Sequence, residues 1–242
     1  MGALEYRPET VLEGENGTLD FDELAAACQK IFEDRQSEDL DSIYHLGGSS
    51  GGARPKANIQ WEDEPWIVKF PCSFDSKDVG EMEYAYHVCA RACGVIVPEV
   101  RLFPSKNHKG YFGTKRFDRQ NGEKVHMVSA GALLETSHRL LNLDCEVLMK
   151  LTRFLTQSEA ECWRLFDLMC FNVFAHNHDD HAKNFSFLFE EGTWRLSPAY
   201  DLTYSNALGG EHSTTIHGKG KDPDMEDFLA VARTRIFQNT SC

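Results

Sequence analysis

The most polar stretch of the chain is His176-Asn177-His178-Asp179-Asp180-His181-Ala182-Lys183-Asn184. Transfer of a phosphoryl group needs a carboxylate beside the acceptor hydroxyl, oxygen ligands for a Mg²⁺ that bridges the phosphates, and a cation on the phosphate tail. A base followed five residues later by an amide suits the first two needs. Asp179 and Asn184 have that spacing, and Asp180 does not. A further carboxylate, Asp201, follows a stretch that reads as a short hairpin and could add an oxygen ligand for the metal. A lysine on a strand followed by a helix carrying a glutamate could be held toward the phosphates by an ion pair. Trp66-Ile67-Val68-Lys69-Phe70 is apolar, β-branched and carries a single lysine, and Glu81 and Glu83 follow on a helical stretch as partners.

The run Gly47-Gly48-Ser49-Ser50-Gly51-Gly52-Ala53 has the composition of a phosphate cradle, because glycine lets backbone N–H groups approach an anion closely. It is not a Walker A loop, since Ala53 stands where that motif requires lysine. The histidine-rich stretch has a competing reading. His176 to His181 fits H-x-H-x-D-H, a zinc pattern that resembles the metallo-β-lactamase superfamily and would imply a metal hydrolase. Its late position, the long helix before it, and the absence of any role there for Lys183 and Asn184 count against that reading.

The elements that must position these residues fall into two kinds. Asp20 and Glu23 open a helix with Phe21, Leu24, Cys28 and Ile31 at helical spacing. Strands are expected at 57–61 and 66–70 around a turn at 62–65, and at 95–103 and 111–117. A helix over 80–93 stops at Gly94. After residue 118 the pattern becomes helical, with a helix at 147–155. A capping box, Ser158 to Glu161, starts a long helix through Phe174, and a hairpin at 185–197 follows. We therefore expect an α+β protein, with a strand-rich N-lobe over 1–115 and a helical C-lobe over 116–242. A net charge of −13 argues against nucleic acid and against an anionic membrane surface as direct partners, but leaves room for a local phosphate pocket. No apolar run approaches the length of a bilayer span, and the eight cysteines form no C-x-x-C pair. Buried free thiols in a cytoplasmic protein are the expectation, with Cys89, Cys93, Cys162 and Cys170 among apolar residues at helical spacing.

Gly52-Ala53-Arg54-Pro55-Lys56, the Lys69 strand, Glu83-Tyr84, Arg116-Phe117-Asp118-Arg119, His176–Asn184 with Phe185-Ser186, and Ser197-Pro198-Ala199-Tyr200-Asp201 occur together in one order. In this the chain resembles the HipA family of bacterial toxin kinases. The resemblance implies a two-lobed, protein-kinase-like fold distantly related to the phosphoinositide kinases, and ATP- and Mg²⁺-dependent phosphorylation of a bacterial protein on serine or threonine. A translation component such as an aminoacyl-tRNA synthetase is the substrate class that family analogy suggests. It further implies that Asp179 is the base, that Asn184 and Asp201 bind Mg²⁺, and that Lys69, steadied by Glu83, contacts the ATP phosphates. Gly51, Gly52 and Ala53 lie on the phosphate loop, Arg116, Phe117 and Asp118 lie where adenine binds, and His181 has a weaker phosphate role. Ser49, with Ser50 as its neighbour, matches a serine that family members autophosphorylate. The chain is similar to shorter members whose N-terminal subdomain is a separate protein, so that protein or an antitoxin is an expected partner. The family usually continues with further helices, which implies a shortened C-lobe. A remnant that only binds nucleotide or antitoxin is the alternative.

Overall fold

In a computed structural model, the structure describes residues 19–34, 54–120, 122–136, 143–205 and 210–234. The Gly-rich run, with Ser49, Ser50, Gly51, Gly52 and Ala53, lies outside the described residues. The chain forms two compact units. One comprises the described residues up to Val88 together with Pro98–Lys124; the other comprises Cys89–Val97 and the described residues from Val125 onward.

The first unit is strand-rich. Its antiparallel sheet has the order β1-β2-β4-β3, from β1 (Lys56–Trp61), β2 (Glu64–Lys69), β3 (Val100–Phe103) and β4 (Tyr111–Lys115). The β1–β2 turn is tighter than expected. Only Glu62 and Asp63 form it, both with positive φ (53° and 61°), as a type I′ turn demands, so Glu64 and Pro65 join the strand. The expected strand over 95–103 begins only at Val100. Pro98 removes a ladder donor, and the Val95 N–H is spent on the Ala90 carbonyl. Helix α1 (Phe21–Asp34) starts at Asp20, whose carboxylate accepts the Asp22 and Glu23 N–H groups. Its Phe21 packs into a core with Trp66, Val68, Phe70, Phe103 and Tyr111. Each such fully buried side chain contributes about 1.5–3 kcal/mol.

Helix α2 (Val79–Ala92) departs from the apolar pattern. Its buried stripe is Gly80, Glu83, His87 and Ala90, while Met82, Val88, Cys89 and Cys93 are exposed. The expectation that Cys89 and Cys93 are buried is therefore corrected. The face that meets the protein carries a glutamate and a histidine, which turns the two thiols to solvent. Cys28, Cys72, Cys145 and Cys162 are buried, Cys170 is half-buried, and burial pushes the Cys28 and Cys170 thiols up to about 11.

The second unit is helix-rich. A three-stranded sheet, β10-β9-β7, is built from β7 (His126–Ser129), β9 (Ser186–Glu190) and β10 (Thr193–Leu196). Glu191 and Gly192 make the two-residue turn of the expected hairpin, again with positive φ. A short helix α3 (Ala130–Leu133) follows β7, and α4 (Cys145–Thr156) is capped by Asp144. Helix α4 packs against α5 (Glu159–Phe174) and α6 (Met225–Thr234) around Leu148, Met149, Cys162, Leu165 and Val231. The capping box of α5 is half-made. Ser158 accepts the Glu161 N–H, but the Glu161 carboxylate takes the Leu196 N–H at 2.8 Å and Arg164 at 2.7 Å, tying α5 to the hairpin instead. A parallel pair joins β8 (Leu143–Asp144) to β11 (Thr214–Thr215). A two-stranded ribbon, β5 (Arg119–Gln120) with β6 (Glu123–Lys124), closes the first unit. No helix among the described residues is long and apolar enough to cross a membrane.

Candidate active site

In the first unit, side chains alternate along β2, so Trp66 and Val68 enter the core while Lys69 takes the other face. There Lys69 Nζ lies 2.5 Å from Glu83 Oε1 and 5.5 Å from the centre of the Phe112 ring. Both members of this pair are largely withdrawn from water, with side-chain exposures of 14% and 5%. The helix can deliver Glu83 because Gly80 has no side chain: a Cβ there would sit 2.4 Å from the Gly110 carbonyl oxygen. One turn on, buried His87 shares a hydrogen bond with the Glu83 carbonyl at 2.9 Å and packs on Phe112. Of Glu81 and Glu83, then, Glu83 is the partner of Lys69, while Glu81 pairs with Lys109. Directly after the Gly-rich run, the Arg54 guanidinium makes two 2.9 Å bonds to Asp75, which also takes the Cys72 N–H. Arg116 grips Asp118 with two 2.9 Å bonds and reaches Asn58 at 3.1 Å, and Arg119 adds a third cationic contact to Asp118. Burial works to raise the Asp118 carboxyl, but the guanidinium groups of Arg116 and Arg119 hold it below the usual carboxylate range.

In the second unit, the stretch His178–Phe185 is a loop without regular structure whose main-chain carbonyls are nevertheless almost all occupied. The His178 carbonyl accepts from Ser213, through N–H and hydroxyl. Asn184 Nδ2 donates to the Asp179 carbonyl at 2.7 Å, and its N–H to the His181 carbonyl. Thr214 Oγ1 donates to the Asp180 carbonyl. The Gly131 and Ala130 N–H groups, at the start of α3, take the Ala182 and Phe185 carbonyls. Tyr200 donates to the Lys183 carbonyl at 2.6 Å and shares a hydrogen bond with Ser186 Oγ. Burial pushes the Tyr200 phenol well above its usual range, so it remains a donor. Through Tyr200 the backbone next to Asp201 is fastened to the backbone next to Asn184. Asp201 itself has φ +55°, a left-handed conformation that aspartate tolerates better than most residues.

Within this frame the Asp179 side chain is 56% exposed, with His181 Nε2 3.8 Å from its Oδ1. Asn184 has spent its amide N–H on the loop, which leaves its Oδ1 as the atom to offer a cation. That is the correct atom for Mg²⁺, which takes oxygen ligands and usually one or two carboxylates beside substrate phosphates. The donor set of Asn184 and Asp201 fits that ion. The described residues lend the zinc alternative no support. No three His, Cys, Asp or Glu side chains among the described residues gather to hold a metal. His178 instead packs its ring on His212 (4.5 Å between centroids), and both oxygens of Asp180 are engaged by residues 212–214. Burial, then His212 and His176, push the His178 imidazole below its usual range and keep it neutral. His212, Ser213, Thr214 and Tyr200 were not among the expected site residues. Their partners lie 14 to 35 residues away, and only Tyr200 sat inside a recognisable motif.

A family model described as the HipA-like C-terminal domain matches residues 48–241. The HipA chain of a Shewanella oneidensis MR-1 toxin–antitoxin system, solved with HipB and its operator DNA, superposes with a TM-score of 0.66 at 16% identity. That match covers 95% of this chain and 61% of that one, so this chain spans about three-fifths of the Shewanella HipA. CtkA, a proinflammatory kinase of Helicobacter pylori, superposes with a TM-score of 0.57 at 16% identity, over 78% of this chain and 77% of that one. No curated protein matches. At such identity the likeness concerns the fold alone, and it agrees with the α+β arrangement described above. The family match runs from the Gly-rich segment to the penultimate residue and takes in Lys69, Glu83, Asp179, Asn184 and Asp201, so the chain belongs to the HipA-like C-terminal domain family.

Proposed function

We propose that this chain is an ATP- and Mg²⁺-dependent serine/threonine protein kinase of the HipA toxin type. The observation that carries the reading is the loop around Asp179: an exposed carboxylate on a backbone whose carbonyls are held on every side, with the Asn184 Oδ1 left for a cation. Asp179 accepts the proton of the acceptor hydroxyl as that oxygen attacks the γ-phosphorus and the bond from that phosphorus to the departing ADP breaks. Asn184 and Asp201 would hold Mg²⁺, which would offset negative charge on the ATP phosphates. Lys69, aimed by Glu83, neutralises the phosphate tail. His181 supplies a weaker phosphate contact, Gly51, Gly52 and Ala53 are the further phosphate-contacting residues of this reading, and Arg54, next in sequence, is bound to Asp75. Arg116 and Asp118 are committed to one another, so they act by stiffening the segment where adenine binds, and Phe117 supplies apolar surface.

The Shewanella relative was solved in complex with HipB, which supports an antitoxin as partner, and a separate protein supplying an N-terminal subdomain is the other partner of this reading. The protein substrate is bacterial, with a translation component as the class that family likeness favours, and Ser49 is the self-phosphorylation site, with Ser50 its neighbour. Incubation with γ-labelled ATP and Mg²⁺ tests the reading. Label should reach a serine or threonine in the wild-type chain and be lost in Asp179→Ala. Equal labelling of the variant would reject Asp179 as base, and nucleotide binding without any transfer would favour a binding module.

A further inference from the structure

Two adjacent aspartates in the loop have opposite surroundings. Asp179 is 56% exposed at its side chain, whereas Asp180 is buried at 4%. The Asp180 carboxylate meets the His212 Nδ1 at 2.9 Å and accepts the N–H groups of Ser213 and Thr214 at 2.8 and 3.2 Å. Two of these three residues also hold main chain on both sides of Asp179. Ser213 binds the His178 carbonyl, with its hydroxyl at 2.9 Å, and Thr214 Oγ1 binds the Asp180 carbonyl at 2.5 Å. The segment is anchored in turn. Asp144, the cap of α4, accepts from Thr215 Oγ1 at 2.6 Å and Gly218 N–H at 2.7 Å, and Glu146 pairs with His217.

We propose that His212–Thr214, locked to the Asp180 carboxylate, are positioning residues that hold the peptides flanking Asp179, so that its carboxylate is the one the loop presents. The proposal rests on Asp179 being the base. A fixed peptide on each side leaves Asp179 only its own side-chain torsions, and misplacing a reacting group by about 1 Å costs on the order of 10²-fold in rate. Asp180 touches no reacting atom in this scheme; it acts through the backbone of its neighbour.

Thr214→Val is the cleanest test, because it is isosteric, keeps the backbone N–H and removes only the hydroxyl donor. Transfer from γ-labelled ATP, to the chain itself or to a generic serine-rich peptide, is measured beside amide exchange at Asn184. Thr214→Val should lower kcat about tenfold and Asp180→Ala about 10²-fold, with the KM for Mg·ATP moved by less than roughly twofold. Asn184 exchange should quicken in both. A loss of stability without a positioning role would leave kcat of the folded protein unchanged. If Asp180→Ala fails to fold, Thr214→Val decides alone. A folded Thr214→Val with kcat within roughly twofold of wild type, or a kcat loss matched by a rise in KM, overturns the proposal. Failure of the underlying reading looks different: Asp179→Asn retains full transfer, or the wild type transfers nothing. In either case the exchange at Asn184 still decides whether 212–214 hold the loop, quickening in Thr214→Val supporting it and no change overturning it.

Discussion

Lys69 in the strand-rich unit is steadied by an opposite charge, Glu83, carried on a helix stripe that also buries His87. Asp179 in the helix-rich unit is steadied by its own backbone, whose neighbouring carbonyls are taken by Ser213, Asn184, Thr214, Gly131 and Tyr200. The first device is local to two regular elements and depends on charge. The second draws on three distant segments as well as on Asn184 within the loop, and depends mostly on N–H and O–H donors to neutral carbonyls. A strand and a helix can present one long cation with few contacts, because their own ladders already fix the backbone. A loop has no ladder, so each peptide needs a partner from elsewhere.

The largest effect that tests this contrast is at Asp179. Asp179→Asn keeps the loop bonds, which use the backbone, and removes the base, so labelled-phosphate transfer should fall by about 10²–10⁴-fold with thermal stability unchanged. A large loss of stability in Asp179→Asn would break the distinction between presenting and holding. Next comes the charge pair. Glu83→Ala removes the carboxylate beside a largely buried ammonium and should destabilise the protein by about 3–5 kcal/mol in denaturant titrations. The double variant Lys69→Met with Glu83→Met should recover most of that stability while remaining inactive. A double variant as unstable as Glu83→Ala would mean that the helix stripe, rather than charge, is what Glu83 serves. A smaller effect is expected from Tyr200→Phe, which strips the donor from the Lys183 carbonyl and should cost about 1–3 kcal/mol. Its consequence should appear as weaker Mg²⁺ dependence of nucleotide binding, since Asn184 and Asp201 flank the two ends of that bond.

The same contrast explains what could be read from residues alone. The spacing of Asp179 and Asn184, the lone lysine of a β-branched strand, and the hairpin before Asp201 are local patterns, and each lies on the element expected of it. The half-made capping box, the shortened strand before Val100 and the exposure of Cys89 and Cys93 were not legible. Two are decided by a contact from elsewhere: Leu196 takes Glu161, and Lys69 with Phe112 draws Glu83 and His87 to the buried side of α2; the third is a helix-end bond, Val95 N–H to the Ala90 carbonyl, that uses up a strand donor. Hydrophobic periodicity would turn α2 the other way, with Met82 and Val88 inward, because a paired glutamate in a buried stripe looks like a polar face until its lysine is known. The clasp of His212–Thr214 on Asp180 is the extreme case, since contacts across 32 to 34 residues leave no local signature.

Acid separates the two devices with the smallest and most selective effect. Asp22 on α1 accepts from the Lys106 N–H at 2.8 Å and from Ser105 and Tyr111 at 2.7 Å each. Its desolvation opposes ionisation, but those three donors prevail and hold the carboxyl down to about 2. An unfolded aspartate titrates near 3.9. The folded value is the lower one, so the unfolded state binds the proton first. The contribution of Asp22 is therefore complete above about pH 4 and is lost as pH falls toward 2. Asp75 and Asp118, both held low against burial by arginines of the same unit, should weaken in the same direction. Carbonyl acceptors do not titrate. Protection of the Lys106 amide should accordingly decline between pH 4 and pH 2, before that of the Gly131 and Asn184 amides, which donate to carbonyls. Simultaneous loss at all three amides would show that the loop depends on charge as much as the sheet does.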